Sequence, residues 1–584
     1  MSAAQEQQDM PVEQAESSLA KKEETTKQDS AEETKETEEA APTAFMHRVA
    51  SGAASAAAVP ARMFKSVMDQ LRRPFAAGSL AHALRENLTM ADNQRHFALL
   101  GEEFPDLDLE STHGRLQLHK YFGSGWGILL THPKAFDPVS LTEFAAFASE
   151  LGQFHQHATK LCALSTDTVK AHLEWTKDLT SFRSDDSFPP SEEEREGFSI
   201  PFMTDPKRTF AHRLGVLDTK EEDEHGEAMM GRAVFIVGPD RKLRFSQVYP
   251  HTCGRSVTEI LRVLSALQCT ENRQIAAPVG WTPGRALLVN SDVDLEVKDV
   301  LFPLGATEHH LPHQTIWSTP DPQVEERTIH PSAVEYKPQA HHVSMLNLGD
   351  ELPNFHMKPV SVEEGSEMQQ HESGVARYLE HCSWGIVCPL ADPFSPVCLT
   401  ELASALTHIK KFVSRKCKLV FLTANPIARE HIEDAIAFSQ GQYHPRVLPF
   451  AVVLDPEREI IDGLGSLDEK MRDESGSAGV ARGVFIVHGH DLKLRLSMLY
   501  PTSVARNWGE VLRVVDALTL TDASVSLLTP EGWTSGKECV ADGTMKQDEV
   551  QTFFPESMTR PAQLASGKDY LVYVKDPTNV TSVH

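Results

Sequence analysis

The chain has 584 residues, of which 40% are hydrophobic and 24% charged, and its formal net charge is −27. Such an acidic balance excludes a general nucleic-acid binder, whose surface would be basic. No apolar run reaches the roughly 18 residues that a transmembrane helix needs. At about 150 residues per domain, the length predicts several domains.

The first 44 residues are predicted to be a disordered acidic tail. They contain 12 acidic residues and 4 lysines, a net charge of −8, and almost no large apolar side chains. This composition cannot bury enough apolar surface to offset the entropy of ordering the chain. The tail is too acidic for a mitochondrial transit peptide, and we recognise no signal peptide in it.

Residues 45–92 are predicted to be a basic, partly helical segment. Six basic and two acidic side chains between positions 45 and 90 give a net charge of +4. Four apolar side chains fall at helical spacing, namely Phe64, Val67, Met68 and Leu71. Two interpretations remain open. The helix binds a membrane surface or an acidic protein partner, or it packs on the domain that follows.

The rest of the chain contains one module twice, at an offset near 250 residues. Seven short motifs recur in the same order, which indicates a duplication. They begin at Leu100, Trp126, Pro138, Arg232, Tyr249, Ile260 and Gly280 in the first copy, and at Leu348, Trp384, Pro396, Arg482, Tyr500, Val511 and Gly532 in the second. We assign residues 93–312 to the first copy and 345–584 to the second. The proline-rich stretch 313–344 is predicted to be an extended linker.

Each copy alternates β-rich runs with helical stretches. The predicted elements of the first copy are a strand at 126–130, a helix at 140–151, a strand at 160–165, a hairpin formed by 232–237 and 242–246, and a helix at 257–267. A strand–helix–strand order of this kind predicts an α/β layer with a parallel sheet.

The best-matched motif holds Ser140 in the first copy and Cys398 in the second. Cys398 is expected in the first turn of a helix, where free N–H groups and the helix dipole favour a thiolate and lower the pKa of the thiol. Arg482, on a neighbouring strand, would add a second positive charge. Ser395, three residues before the cysteine, could hydrogen-bond the sulfur or the molecule that it attacks.

The residues around Cys398 resemble the active-site motif of the peroxiredoxins. The motif reads Ser-Pro-Val-Cys-Leu-Thr-Glu over residues 395–401, and the later Tyr-Pro, Gly-Trp-Thr and Phe-Pro segments resemble the 1-Cys subgroup with its C-terminal extension. The resemblance covers about three quarters of the chain. It implies an α/β fold of two tandem thioredoxin-like (peroxiredoxin) domains, each with a small C-terminal extension. It also implies an antioxidant oxidoreductase whose cysteine becomes a sulfenic acid.

The resemblance assigns a role to each of four residues in the second copy. Cys398 would be the peroxidatic nucleophile, Arg482 would lower its pKa and orient the peroxide, Ser395 would donate a hydrogen bond, and Glu401 would hold Arg482 in place. The second copy departs from the family where a His-Pro pair is expected, because it has Leu390 and Ala391.

The first copy keeps His132, Pro133 and Arg232 of the family pattern but has Asp137 and Ser140 at the threonine and cysteine positions. A serine hydroxyl cannot reduce a peroxide, since the two-electron chemistry belongs to sulfur. The Asp137 carboxylate would also repel an anion. The first copy is therefore predicted to be inactive.

The predicted function is thiol-dependent reduction of hydrogen peroxide or organic hydroperoxides at Cys398. The electrons would come from an external thiol, either glutathione or a thioredoxin-like protein, and we expect no cofactor and no metal. The alternative is a non-enzymatic scaffold or a redox sensor built from degenerate peroxiredoxin domains.

Family members commonly form homodimers, so the two copies are expected to pair as an internal pseudo-dimer, with a homo-oligomer as the alternative. The eight cysteines contain no CxxC pair. They are interpreted as reduced thiols in a cytoplasmic, intracellular protein. Cys382 and Cys388 precede Cys398, and either could resolve a sulfenic acid or be a buried core thiol.

Overall fold

The computed structural model describes residues 98–182, 198–223, 225–294, 298–322, 346–357, 373–427, 429–439, 448–472, 478–524, 526–555 and 564–577. The predicted acidic tail and basic segment lie outside the described residues, as does most of the predicted linker. None of the helices in these ranges combines the length and the apolar run needed to cross a bilayer.

The first copy contains thirteen short strands and seven helices in its described ranges. The strands are β1 (Asp108–Ser111), β2 (Gly114–Gln117), β3 (Trp126–Thr131), β4 (Thr159–Ser165), β5 (Phe202–Thr204), β6 (Leu217–Glu222), β7 (Ala228–Met230), β8 (Arg232–Val237), β9 (Leu243–Tyr249), β10 (Ile275–Ala276), β11 (Leu287–Val289), β12 (Thr307–His310) and β13 (Thr315–Thr319). The helices are α1 (Leu118–Phe122), α2 (Pro138–Ser149), α3 (Leu151–Gln156), α4 (Val169–Ser181), α5 (Thr209–Leu214), α6 (Val257–Thr270) and α7 (Lys298–Leu301).

The second copy has twelve strands and six helices in its described ranges and largely repeats this order. Its strands are β14 (His356–Met357), β15 (Ser373–Gly374), β16 (Trp384–Leu390), β17 (Cys417–Thr423), β18 (Ala451–Leu454), β19 (Leu467–Arg472), β20 (Ala478–Val480), β21 (Arg482–His488), β22 (Leu494–Tyr500), β23 (Leu527–Leu528), β24 (Cys539–Ala541) and β25 (Tyr573–Val574). Its helices are α8 (Val375–Leu379), α9 (Pro396–Ser414), α10 (Arg429–Phe438), α11 (Glu459–Gly463), α12 (Trp508–Ala523) and α13 (Gln547–Phe553).

The central sheet of each copy is mixed. In the first copy β3 pairs in parallel with β4 but antiparallel with β8, and β8 pairs antiparallel with β9. The predicted parallel sheet is therefore correct only for the β3–β4–β5 portion. Only five residues, 238–242, join β8 to β9, and a connection this short can join only antiparallel strands, since a parallel pair needs a crossover of a dozen or more residues.

Both faces of this sheet are covered. All six residues of β3 and all seven of β16 are buried, which explains why these segments are nearly unbroken apolar runs in the sequence. Helices α2 and α9 follow these strands directly and pack on the sheet, so the first turn of each lies at the carboxyl end of a buried strand.

The two copies pair within the chain through the edges of their sheets. Strand β22 runs antiparallel to β9, with Met498 opposite Gln247, and the result is one sheet of twelve strands. The internal pseudo-dimer predicted from the sequence is thus the arrangement of the two copies in this structure.

The C-terminal extension of each copy reaches the other copy. Tyr570 of the second copy accepts a hydrogen bond from Trp175 Nε1 at 3.1 Å, and Ser566 donates its N–H and its hydroxyl to Asp178 at 2.6 and 2.7 Å. In the reverse direction, His313 N donates to Asp434 Oδ1 at 2.9 Å.

The extension of the first copy runs further than the sequence predicts. Residues 315–319, assigned above to the linker, form β13, which pairs with β11 and β12. The two nearest prolines, Pro312 and Pro320, lie outside this strand and so leave its hydrogen bonds intact.

Candidate active site

Cys398 lies in the first turn of α9. Ser395 is the N-cap, Pro396 is the first helical residue, and the Ser395 hydroxyl accepts a hydrogen bond from Cys398 N at 3.2 Å. Serine before proline is a common way to begin a helix, because the hydroxyl satisfies a free N–H and proline has none to satisfy. This local pattern places the cysteine at the positive end of the helix dipole.

The Cys398 sulfur is in direct contact with a buried arginine. Arg482, the first residue of β21, donates from Nη1 to the sulfur at 3.0 Å, and its Nη2 lies 3.4 Å from the Ser395 hydroxyl. Both Cys398 and Arg482 are almost completely buried. Burial alone would lower the pKa of Arg482, but the sulfur and the Glu401 carboxylate raise it, so the guanidinium remains charged.

Glu401 joins Arg482 to a second buried arginine. The Glu401 Oε2 atom accepts from Arg482 Nη1 at 2.9 Å, while Glu401 Oε1 accepts the backbone N–H of Arg506 at 3.1 Å. Arg506 Nη1 also pairs with the Glu401 carboxylate. Two arginines against one carboxylate leave one positive charge to be balanced, which suits a thiolate.

The structure brings together all four residues predicted for this site, namely Cys398, Ser395, Arg482 and Glu401. The Ser395 hydroxyl accepts hydrogen bonds from Cys398 N and from Arg482, and its donation to the sulfur or to the molecule that the sulfur attacks stays a prediction.

Sequence reasoning missed Arg506. A signal was present, because an arginine follows the Tyr-Pro motif by five residues in both copies, as Arg255 and Arg506. Nothing local in that pattern indicated that the side chain reaches a glutamate more than one hundred residues earlier in the chain.

The remaining thiols have a different environment. Burial raises the pKa of Cys388 to about 12, so this thiol is protonated at neutral pH, as expected of a core residue. Burial raises the pKa of five further thiols in the same way, those of Cys162, Cys253, Cys382, Cys417 and Cys539.

The equivalent position in the first copy is closed by a carboxylate. Asp137 is the N-cap of α2, and its Oδ2 accepts from both the N–H and the hydroxyl of Ser140 at 2.6 Å. Arg232 donates to the Ser140 hydroxyl at 2.9 Å and to Asp137 at 2.6 Å. Although burial would raise it, the pKa of Asp137 is lowered by Arg232, so the carboxylate is ionised.

The two sites therefore differ in charge. Around Ser140 the arginines Arg232 and Arg255 face two carboxylates, Asp137 and Glu143. Their charges cancel, whereas one positive charge is left over around Cys398. The uncompensated positive charge therefore favours the binding of an anion only in the second copy.

The family histidine of the first copy has a packing role here. His132 is fully buried, its ring stacks on Trp175, and it meets the edge of Phe144. Burial holds the pKa of His132 well below its ordinary value, so the ring is neutral. In the second copy Leu390 and Ala391 take the places of His132 and Pro133, and Leu390 is fully buried.

Metal ligation finds no support in the described ranges, which contain no cluster of three or more histidine, cysteine or acidic side chains arranged for an ion.

The model of the AhpC/TSA family matches two stretches of the chain, residues 100–246 and 348–494. The chain belongs to the AhpC/TSA family. One matched stretch lies within each of the two copies, so the protein is a tandem peroxiredoxin.

Individual peroxiredoxins match about one copy in length. Peroxiredoxin-6 of Sus scrofa is 40% identical over 214 residues, which is 37% of this chain and 92% of the relative. Peroxiredoxin-6 of Homo sapiens is 39% identical over the same shares. Among solved structures, a mutant of the peroxiredoxin 6 of Arenicola marina is 37% identical, covers 38% of this chain and 98% of its own, and has a TM-score of 0.35.

Proposed function

We propose that this tandem peroxiredoxin reduces peroxides with Cys398 of the second copy and that its first copy is catalytically inactive. The observation that carries the proposal is the 3.0 Å contact between Arg482 Nη1 and the Cys398 sulfur at the beginning of α9. A buried guanidinium and a helix N-terminus both favour the thiolate, which is the reactive form of cysteine.

In the first half of the proposed reaction, the Cys398 thiolate attacks one oxygen of the peroxide. An S–O bond forms as the O–O bond breaks, and the departing oxygen takes up a proton to leave as an alcohol or as water. The sulfur loses two electrons and becomes a sulfenic acid, while the peroxide gains them. Arg482 is placed to hold the peroxide and to stabilise the negative charge that moves to the departing oxygen.

In the second half, an external thiol regenerates Cys398. One thiol condenses with the sulfenic acid and releases water, and a second thiol displaces the mixed disulfide, leaving the Cys398 thiolate and an oxidised donor. An external donor is favoured because burial raises the pKa of Cys388 to about 12, which makes it a poor attacking group. Glutathione and thioredoxin-like proteins are the proposed donors; a yeast mitochondrial 1-Cys peroxiredoxin of solved structure resolves its thiol through the glutathione and thioredoxin systems.

The proposed setting is a reducing, cytoplasmic one. All eight cysteines of the chain are free thiols in the structure, which is typical of proteins kept in a reducing compartment.

The test is to trap sulfenic acid in the full chain. The protein is exposed to hydrogen peroxide in the presence of a sulfenic-acid-specific reagent, and the labelled cysteines are mapped by peptide mass spectrometry. We expect the label at Cys398 and not at Cys388. The amount of peroxide consumed should match the amount of labelled Cys398. Absence of label at Cys398, or equal labelling of Cys388, would contradict the proposal.

Removal of the Arg482 charge should slow the reaction strongly. Arg482→Met keeps much of the side-chain volume but takes away the donor 3.0 Å from the sulfur. We expect the rate constant for peroxide reduction at neutral pH to fall by roughly 10²-fold, as measured by stopped-flow kinetics. Arg495→Met is the matched control, because Arg495 is also a buried arginine of the same copy but pairs with Asp522. Equal losses of rate in the two variants would show that removal of any buried arginine slows the reaction.

A further inference from the structure

Backbone bonds from the first copy hold residues 505–507 of the second. Ala505 N donates to the Ala277 carbonyl at 3.0 Å, and Gly280 N donates to the Arg506 carbonyl at 3.4 Å. The first bond is made by the residue before Arg506, and the second is made by Arg506 itself, whose side chain contacts Glu401. The segment that carries Arg506 is thus held from the other side of the domain interface.

Two more bonds extend this attachment. Ala277 N donates to the Ser503 carbonyl at 2.8 Å, and the Asn507 amide donates to Glu259 Oε2 at 2.7 Å. Residues 503–507 connect β22 to α12 and belong to neither element, so no strand or helix of their own copy satisfies these groups. Buried backbone groups need partners, and here the first copy supplies them.

The first copy also contacts the helix that carries the cysteine. Val279 N lies 3.4 Å from the Thr400 hydroxyl, which in turn donates to the Val397 carbonyl at 2.8 Å. Thr400 is two residues beyond Cys398 on α9. One short segment, residues 277–280, therefore holds both the Arg506 segment and the first turns of α9.

A continuous set of contacts leads from this segment to the sulfur. The N–H of Arg506 donates to Glu401, the same carboxylate accepts from Arg482, and Arg482 donates to Cys398 at 3.0 Å. These groups are buried, and a displacement of about 1 Å at a reacting group can cost on the order of 10²-fold in rate.

We infer that the inactive first copy is a working part of the Cys398 site, because its residues 277–280 position Arg506 and, through Glu401 and Arg482, the cysteine itself. Residues 277–280 are positioning residues, since the bonds described here connect them to the sulfur only through other residues. This inference rests on the function proposed for Cys398. It gives a role to a copy that has serine at the position of the nucleophile.

The duplication supplies a matched control. In the mirror-related position, Thr529 of the second copy accepts from Gly254 N at 2.9 Å and donates its N–H to the Thr252 carbonyl at 3.0 Å, while Gly532 N donates to the Arg255 carbonyl at 2.9 Å. These bonds brace the inactive Ser140 site. A change there perturbs the same interface without touching the segment that holds Arg506.

The experiment compares Ala277→Pro with Thr529→Pro in the full chain. Each substitution removes one N–H donor from an equivalent interdomain bond. Two readouts are the rate constant for oxidation of Cys398 by hydrogen peroxide and the pH profile of Cys398 alkylation by iodoacetamide, followed on its own peptide. We expect Ala277→Pro to slow oxidation on the order of 10-fold and to move the alkylation profile to higher pH, and Thr529→Pro to leave both as in the wild type.

A second pair of variants introduces no proline and therefore cannot distort the backbone in that way. Thr400→Val removes the hydroxyl that accepts Val279 N, and Thr142→Val removes the hydroxyl that accepts Glu531 N at 3.0 Å. Thr400→Val is expected to slow oxidation and shift the profile, Thr142→Val to do neither. Wild-type behaviour in both Ala277→Pro and Thr400→Val, or equal losses in their mirror variants, would overturn the inference. An unreactive Cys398 in the wild type would overturn the proposed function and the inference with it.

Discussion

Replacement of Cys398 by serine is expected to reduce peroxide consumption by roughly 10³-fold or more, because it removes the nucleophile itself. The serine oxygen would sit in the same contacts to Arg482 and to the helix N-terminus, but an alcohol cannot pass two electrons to a peroxide. The chain already has a serine at the equivalent position of the first copy, Ser140, whose hydroxyl lies 2.9 Å from Arg232 Nη1. The measurement is peroxide consumption with a thiol donor in excess.

Cys388→Ser is the control for this loss. Cys388 precedes Cys398 by ten residues and belongs to the same core, so it matches the substitution in chemistry and in burial. A buried hydroxyl costs about 1–3 kcal/mol of stability, but the peroxide activity should remain near that of the wild type. Retained activity in Cys398→Ser, or loss of activity only in Cys388→Ser, would place the chemistry elsewhere.

Restoration of the first copy is the second large effect that we expect. In a chain with Cys398→Ser, the double change Asp137→Ser and Ser140→Cys should create peroxide reduction at position 140, to within about 10²-fold of the wild-type rate. Arg232 already lies at the distance from Ser140 that Arg482 has from Cys398, 2.9 against 3.0 Å. Removal of the Asp137 carboxylate leaves the same single positive charge as in the second copy.

The single change Ser140→Cys separates the need for a sulfur atom from the need to remove the Asp137 carboxylate. With Asp137 retained, the ionised carboxylate that lies 2.6 Å from the Ser140 hydroxyl stays beside the new sulfur and repels a thiolate. We expect this variant to react far more slowly than the double variant, as measured by alkylation and by peroxide consumption. Equal rates would show that the missing sulfur is the whole defect of the first copy.

If Cys398→Ser does not lower peroxide consumption and the changes at positions 137 and 140 do not create it, the alternative function is favoured, a scaffold or redox sensor. The residues that distinguish these outcomes are few, because the two copies share their helix, their strand arginine and their glutamate. In the hydrogen-bonded network they differ at the N-cap and at the residue three positions later, which are Asp137 and Ser140 in one copy and Ser395 and Cys398 in the other. Outside that network, His132 and Pro133 are replaced by Leu390 and Ala391.

Three features are predictable from the amino-acid sequence without the structure: the duplication, a helix whose first turn carries Cys398, and the cysteine that only the second copy has at this position. These features are local or repeated. A buried strand is recognisable as an apolar run, and the missing cysteine as a mismatch between two aligned motifs. Arg482 is predictable for the same reason, because its motif recurs at Arg232.

The charge balance of the two sites, and the way in which the copies support each other, emerge only when the chain is folded. Glu401 meets Arg506 across more than one hundred residues of sequence, and the Ala277 carbonyl meets Ala505 across more than two hundred. Such contacts depend on how the sheets pair at their edges and on which buried backbone groups remain without a partner in their own copy. No local pattern predicts either, because a hydrogen bond between distant residues follows from the assembled fold.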